Sequence, residues 1–360
     1  MRCAVQSTIK PLSSTNRNSP LKKMKSILVF SSWLLSTSFV SAAYKSSSSD
    51  NIAVYWGQNS AGGNNTQRPL IDVCRDDPDV DIILLSFLIG VADIDKGLNF
   101  ANSDRPTEKE IVECQTEHNK TLILSLGGAA TDNTWAFTSQ DQAVDAANRL
   151  WSAFGPASPA GNSTIRPFGS AAVDGFDLDF EAPYSNIQVF TQQLRKLMDQ
   201  EKARKFYLSA APQCPFPDMN LSPVLLGDTA TALDFVFIQF YNNPPCDLRS
   251  PGGFRASLGD WDSQWAKKSG AKIFVGVPGA PTAAGSGSYV EGSVLAADAL
   301  KMAQKIPSFA GVMVWDMSQL DKNTEFLPPI VSALGGINGN GSASAEPASR
   351  NRTQTCKHGH

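Results

Sequence analysis

Eight apolar runs of β-type residues recur along the chain and restrict its fold more than any other feature: NIAVYWG (51–57), DIILLSFLI (81–89), TLILSLGG (121–128), VDGFDLDF (173–180), KFYLSAAP (205–212), FVFIQFY (235–241), KIFVGVP (272–278) and GVMVWDM (311–317). Their starts lie about 30 to 50 residues apart, which leaves room each time for a strand, a crossover helix and two loops. Between them, DQAVDAANRLWSAF (141–154), NIQVFTQQLRKLMDQEKA (186–203) and VLAADALKMAQKI (294–306) carry apolar residues at helix spacing. Eight strands alternating with helices predict an α/β fold, a (β/α)8 TIM barrel, as a single domain over residues 51–336. A doubly wound open sheet is the competing arrangement. It lacks its usual signature, because GQNSAGGNN after the first run does not have the spacing of a glycine-rich phosphate loop.

The ends read differently from the middle. Residues 1–43 form a leader in which MKSILVFSSWLLSTSFVSAAYK has a basic start at Met24, an apolar run from Ile27 to Val40, and small residues Ser41, Ala42 and Ala43 where a signal peptidase cuts. Met24 reads as the true start, with residues 1–23 an over-long start or a long basic leader. A type II anchor is the alternative, but the apolar run is shorter than the ~20 residues a span needs. The expectation is a secreted protein, extracellular or cell-wall associated, with no membrane span in the mature chain. YKSSSSD (44–50) is expected to be a flexible lead-in, and the polar, aperiodic residues 337–360 a disordered tail.

Of six cysteines, Cys3 precedes the signal and Cys356 lies in the tail, which leaves Cys74, Cys114, Cys214 and Cys246 in the body. Four cysteines allow three connectivities. Cys74 with Cys114 and Cys214 with Cys246 is the favoured one, because each pair sits in or near successive loops. Sequons at Asn64, Asn119, Asn162, Asn220, Asn340 and Asn351 agree with a secreted glycoprotein. The hydrophobic content of 42% supports a sizeable core. A net charge of only −3, with no basic stripe interleaved with aromatics, argues against nucleic acid and anionic membrane as partners and points to a neutral ligand.

The fourth run is DGFDLDFEAP, with Asp174, Asp177, Asp179 and Glu181 crowded together. Side chains alternate along a strand, so Asp177, Asp179 and Glu181 point one way, into the barrel, while Phe176, Leu178 and Phe180 point outward to the helices. The acids stand about 7 Å apart per two-residue step, close enough that they do not all ionise cheaply in an enclosed space. Such coupling holds a proton near neutral pH, as a general acid requires. Glu181 is the first candidate, since it lies at the C-terminal end of its strand, the barrel face where catalytic groups collect. A calcium cage is the competing reading, but ligands two apart on one strand converge poorly.

Other chemistries lack their parts. His118 is the only histidine in the body and precedes the third strand, on the wrong face, so a Ser/His/Asp triad has no base and a zinc site no ligand set; His358 and His360 lie in the tail. No Walker or dinucleotide motif appears, and no metal or organic cofactor is expected. Polar and aromatic residues at other strand ends gather at the same mouth: Tyr55, Phe87, Ser125, Gly127, Gly128, Gln213, Gln239, Tyr241, Asn242 and Trp315. An indole floor suits the apolar face of a sugar ring, and hydroxyl and amide groups suit its polar edge.

DGFDLDFE matches the DxxDxDxE signature of glycoside hydrolase family 18, and LSLGG its SxGG motif. YWGQN, AAPQCPFPD, QFYNNPPC and GVMVWD resemble, more narrowly, the plant-type class III, hevamine-like chitinases and their fungal relatives. The resemblance runs from about residue 51 to 335 and implies a single catalytic barrel that cuts chitin and its oligosaccharides with the substrate's own acetamido group as nucleophile. It implies that Glu181 protonates the glycosidic oxygen and that Asp179 orients the acetamido group while Asp177 shares its proton. Tyr241 then bonds the acetamido oxygen, and Trp315 floors the subsite. Asp174 starts the motif in a structural role. The family's disulfide pattern supports the pairing favoured above, while a third family bridge, in the loop leaving the second strand, has no cysteines here. The family also contains lectins and inhibitors that have lost or blocked these groups, and an endo-β-N-acetylglucosaminidase acting on N-glycans is the nearest enzyme alternative. A monomer is expected.

Overall fold

Along β1 (Asn51–Trp56), Ile52, Val54 and Trp56 pack outward among the helices, whereas Ala53 and Tyr55 pack inward. The same alternation repeats in β2 (Ile82–Leu88), β3 (Thr121–Gly128), β4 (Gly175–Phe180), β5 (Tyr207–Ala210), β6 (Phe235–Gln239), β7 (Lys272–Pro278) and β8 (Phe309–Trp315), slipping by one residue between Leu85 and Phe87 in β2 and between Ala310 and Val312 in β8. All eight pair in parallel in sequence order, and β8 closes on β1 through Asn51 opposite Gly311 and Val54 opposite Val314. This computed structural model describes residues 44–63, 66–101, 103–129, 135–157, 165–285 and 287–335. The leader, the tail and the sequons at Asn64, Asn162, Asn340 and Asn351 lie outside the described residues.

Two apolar layers result. The inner one includes Ile82, Leu84, Ile123, Phe235, Phe237, Phe274 and Met313, and the outer one fills the space between sheet and helices. On β4, Phe176, Leu178 and Phe180 belong to the outer layer and are buried, as the alternation predicts. Each such side chain contributes roughly 1.5–3 kcal/mol by leaving water. The helix at Gln140–Phe154 starts where Ser139 caps the Gln142 N–H, and it buries Ala143, Ala146, Ala147, Leu150 and Phe154 at helix spacing. Ile187–Gln200 does the same with Ile187, Phe190, Leu194 and Met198. The third predicted helix, 294–306, is broken: it forms as Gly292–Ala297 and Ala299–Ala303, with Asp298 between them off helical geometry at φ −115° and ψ −70°.

The lead-in expected to be flexible is seated. Tyr44 is buried under the barrel, its ring edge-on to Tyr207 at 5.2 Å and 4.7 Å from Phe235. Its N–H donates to Thr121 Oγ1 at 3.0 Å, and the Lys45 N–H donates to Asn51 Oδ1 at 2.9 Å. A barrel this size has an apolar lower opening that side chains must fill, and here a residue before β1 fills it. Both favoured disulfides are present, Cys74–Cys114 with Cα atoms 5.4 Å apart and Cys214–Cys246 at 5.9 Å. The first ties the helix Leu70–Asp76 to the helix Glu108–Thr116, and the second ties the segment after β5 to the segment after β6. Among the described residues no helix is long and apolar enough to cross a membrane.

Candidate active site

Strand register assembles the acid row. Asp177 on β4 lies opposite Ser125 on β3 and Ser209 on β5, so each neighbour supplies a hydroxyl to the same carboxylate. Ser125 Oγ and the Tyr55 hydroxyl donate to Asp177 Oδ2 at 2.7 and 2.9 Å, and Ser209 Oγ donates to Oδ1 at 2.7 Å. Burial pushes the Asp177 carboxyl up while the three hydroxyls pull it back, with a net rise. Tyr55 is pushed well above the ordinary phenol range by burial and by Asp177 and Asp179, so it stays a donor.

Asp179 and Glu181, one and two steps nearer the mouth, converge on one amide. Gln239 Nε2 lies 3.1 Å from Asp179 Oδ1 and 3.5 Å from Glu181 Oε1, and it donates to the Ala211 carbonyl at 3.0 Å. Burial, then the charges of Glu181, Asp177 and Asp218, push Asp179 well above the carboxylate range. Burial also raises Glu181, with Gln239 pulling it down and Asp218 pushing it up. The coupled pair therefore retains a proton well above the pH at which a free carboxyl loses it. Tyr241 is buried, and its phenol is likewise held protonated by burial and by Asp179 and Glu181.

Two glycines make room for this geometry. At Gly127, with φ +105°, a Cβ would lie 2.5 Å from the Asp179 carbonyl oxygen. At Gly128, with φ +85°, it would lie 2.8 Å from the Phe87 ring. Only glycine combines that backbone conformation with that approach. Phe87 stacks on Trp315 with centroids 6.0 Å apart, and Tyr55 meets Trp315 edge-on at 5.4 Å, which builds an aromatic floor.

The result is a cavity of about 210 Å³ lined by Tyr55, Phe87, Asp179, Glu181, Gln213, Gln239, Tyr241, Asn242 and Trp315, all anticipated from the sequence, together with Ala129, Asn243 and Ala283, which were not. Asp177, Ser125 and Gly127 lie beneath or beside it. Asp174 is at the opposite end of β4, where Arg204 Nη1 at 2.8 Å, Gln115 Nε2 at 2.8 Å and the Leu122 N–H at 2.8 Å hold its carboxylate. It is an internal tie, away from the cavity. His118 sits beside Glu113, its Nε2 3.8 Å from a carboxylate oxygen, away from the mouth. Sequence reasoning missed Ser209 and Asp218. The single serine in KFYLSAAP was a readable signal for the first; Asp218 was hidden in a loop.

A barrel closed by eight parallel strands, with paired buried carboxyls at the C-terminal mouth over an aromatic floor, is the framework of a glycosidase. The family model for glycosyl hydrolases family 18 matches residues 51–303, and the chain belongs to that family. It is 39% identical to endochitinase 33 of Trichoderma harzianum over 86% of this chain and 100% of that relative. It is 35% identical to a class III chitinase of Arthroderma benhamiae over 88% and 96%. Among solved structures it resembles a xylanase and α-amylase inhibitor protein from Scadoxus multiflorus, with a TM-score of 0.66 and 32% identity over 78% of this chain and 97% of that one.

Proposed function

We propose that the protein is a secreted chitinase that cleaves β-1,4 bonds between N-acetylglucosamine units with retention of configuration. The observation that carries this reading is the convergence of Asp179 and Glu181 on Gln239 above the Trp315 floor, with Tyr241 facing both acids. Two relatives named as chitinases, matched over nearly their whole length, support the choice of substrate.

In this reading Glu181 gives its proton to the glycosidic oxygen as the bond from the anomeric carbon to that oxygen breaks. The acetamido oxygen of the same sugar forms the new bond to the anomeric carbon from the other face. Asp179 accepts from the acetamido N–H and steadies the positive charge that develops on the ring formed, while Asp177 shares its proton. Tyr241 donates to the acetamido oxygen and aims it. Water then attacks the anomeric carbon, returns a proton to Glu181 and releases the acetamido group.

The test is Glu181→Gln, which keeps shape and removes the acid. Hydrolysis of chitin oligomers is expected to fall by at least about a thousandfold with oligomer binding retained; normal turnover would place the acid elsewhere. Offering the wild-type chain chitin oligomers and a high-mannose glycoprotein side by side separates a chitinase from an endo-β-N-acetylglucosaminidase. The likeness to an inhibitor supports a second reading, a silent binding protein on the same barrel. Binding without release of sugar from either substrate would favour it. The basic start, apolar run and small residues of the leader support secretion, and a monomer is the assembly proposed.

A further inference from the structure

The turn after β5 carries a carboxylate that the reaction described above does not use. Asp218 is 4% exposed, and all three of its side-chain donors are backbone amides: Gln213 N–H to Oδ2 at 2.9 Å, Asn220 N–H to Oδ1 at 2.8 Å and Leu221 N–H to Oδ1 at 2.6 Å. Among the described residues no Lys, Arg or His pairs with it, whereas the buried carboxylates Asp174 and Asp262 have Arg204 and Lys267; Asp177, Asp179, Asp247 and Asp316 are likewise buried without a cation partner. The same turn is clamped from outside. Cys214 is bonded to Cys246, its carbonyl accepts from Trp261 Nε1 at 3.0 Å, and the Phe216 ring rests on Trp261 at 4.9 Å.

From inside, the turn meets the acid pair. Gln213 lines the cavity and bridges to Gln239, whose N–H donates to the Pro212 carbonyl at 2.8 Å. Gln239 is the residue on which Asp179 and Glu181 converge. We propose that Asp218 is a positioning residue of the glycosidase reaction: by holding the Gln213 N–H it seats Gln213 against the Gln239 backbone, and it places a carboxylate with no cation partner on the turn next to Asp179 and Glu181.

The titratable groups around the pair are Asp177 on β4, Tyr55 on β1, Tyr241 after β6 and Asp218 on the turn after β5, with Asp316 after β8 acting on Tyr241. Among the described residues no basic side chain lines the cavity. Asp218 acts on both Asp179 and Glu181 in the direction that favours the protonated acid. Burial raises the Asp218 carboxyl, and the three amides pull it part of the way back by binding its charged form. The carboxylate thus fixes the turn that carries Gln213 and helps keep the proton on Glu181 until the glycosidic oxygen arrives.

This inference rests on the proposed glycosidase reading, and the experiment separates the two. Wild-type cleavage of chitin oligomers tests the reading. The pH profile of kcat/KM for Asp218→Asn, against wild type, tests the inference. Without the neighbouring negative charge Glu181 ionises more easily, so the alkaline limb is expected to move to lower pH by about half a unit or more. Gln213→Ala leaves Asp218 charged, so it is expected to raise KM several-fold with the limb unmoved. If Asp218→Asn does not yield folded protein, Asp218→Ser keeps a small acceptor for the Leu221 N–H and gives the same readout. An unmoved alkaline limb in the charge-removing variant would reduce Asp218 to a turn former. An equal shift in Gln213→Ala would transfer the effect from the charge to the Gln213 amide. Either result overturns the proposal while wild-type activity stands.

Discussion

The Tyr55 hydroxyl donates to Asp177 Oδ2 at 2.9 Å, joining the first strand to the fourth across the barrel interior. Tyr55 also meets Trp315 edge-on at 5.4 Å, so one side chain supports both the acid row and the aromatic floor. Tyr55→Phe removes one of three hydroxyls from a buried carboxylate and keeps the ring contacts. The loss of a hydrogen bond to a charged group amounts to about 1.5–3 kcal/mol, so kcat for chitin oligomers is expected to drop roughly 10- to 100-fold with the fold intact by circular dichroism.

Asp179 is raised by burial and by Glu181, Asp177 and Asp218, which makes it a cost to stability at neutral pH. A carboxyl whose folded pKa exceeds its unfolded value binds its proton more tightly in the folded state. It therefore stabilises the fold most below the unfolded value near 4, and that contribution is lost as pH rises toward the folded one. Asp179→Asn is expected to lose activity and to raise the pH 7 melting temperature by a few degrees, about 2–4 °C, with the gain shrinking as pH falls toward 4. A melting temperature unchanged at pH 7 would contradict the strained state of the pair.

The two disulfides are expected to separate stability from catalysis. Each removal costs about 2–4 kcal/mol by freeing the unfolded chain. The Cys74–Cys114 bond lies on outer helices, so the double Ser variant of that pair is expected to melt earlier with unchanged KM. The Cys214–Cys246 bond borders Gln213 and Asn243, both in the cavity wall, so its double Ser variant is expected to melt earlier and also to show a raised KM.

Tyr44 closes the lower end of the barrel against Tyr207 and Phe235. Tyr44→Ala leaves a void in an apolar layer, and a loss of about 3 kcal/mol is expected in urea unfolding, with kcat at 25 °C unchanged because the site is at the other end. A variant as stable as wild type would return residues 44–50 to the status of a loose lead-in.

Much of this was legible before the fold was known, for a local reason. Strand periodicity is a property of neighbouring residues, so the outward set of Phe176, Leu178 and Phe180 and the inward set of Asp177, Asp179 and Glu181 followed from DGFDLDFE alone. The lengths between runs determined that a parallel barrel was possible, and the motif order pointed to the family. The glycine pair in LSLGG was recognisable as a motif, although its cause, the approach of the Asp179 carbonyl and the Phe87 ring, was not.

What sequence could not supply was register and closure. That Ser125 and Ser209 flank the same carboxylate depends on how β3 and β5 slide against β4, which no local pattern specifies. The same holds for Asp218, whose three amide partners exist only once the 213–221 turn has formed. A polar, serine-rich stretch gave no sign that Tyr44 would be drawn beneath the barrel, because the opening it fills is created by eight strands meeting in a ring. The sequence by itself determined which residues face inward and which chemistry they bear; the tertiary structure decided which of them touch, because contacts between distant strands are set by the closing of the whole sheet.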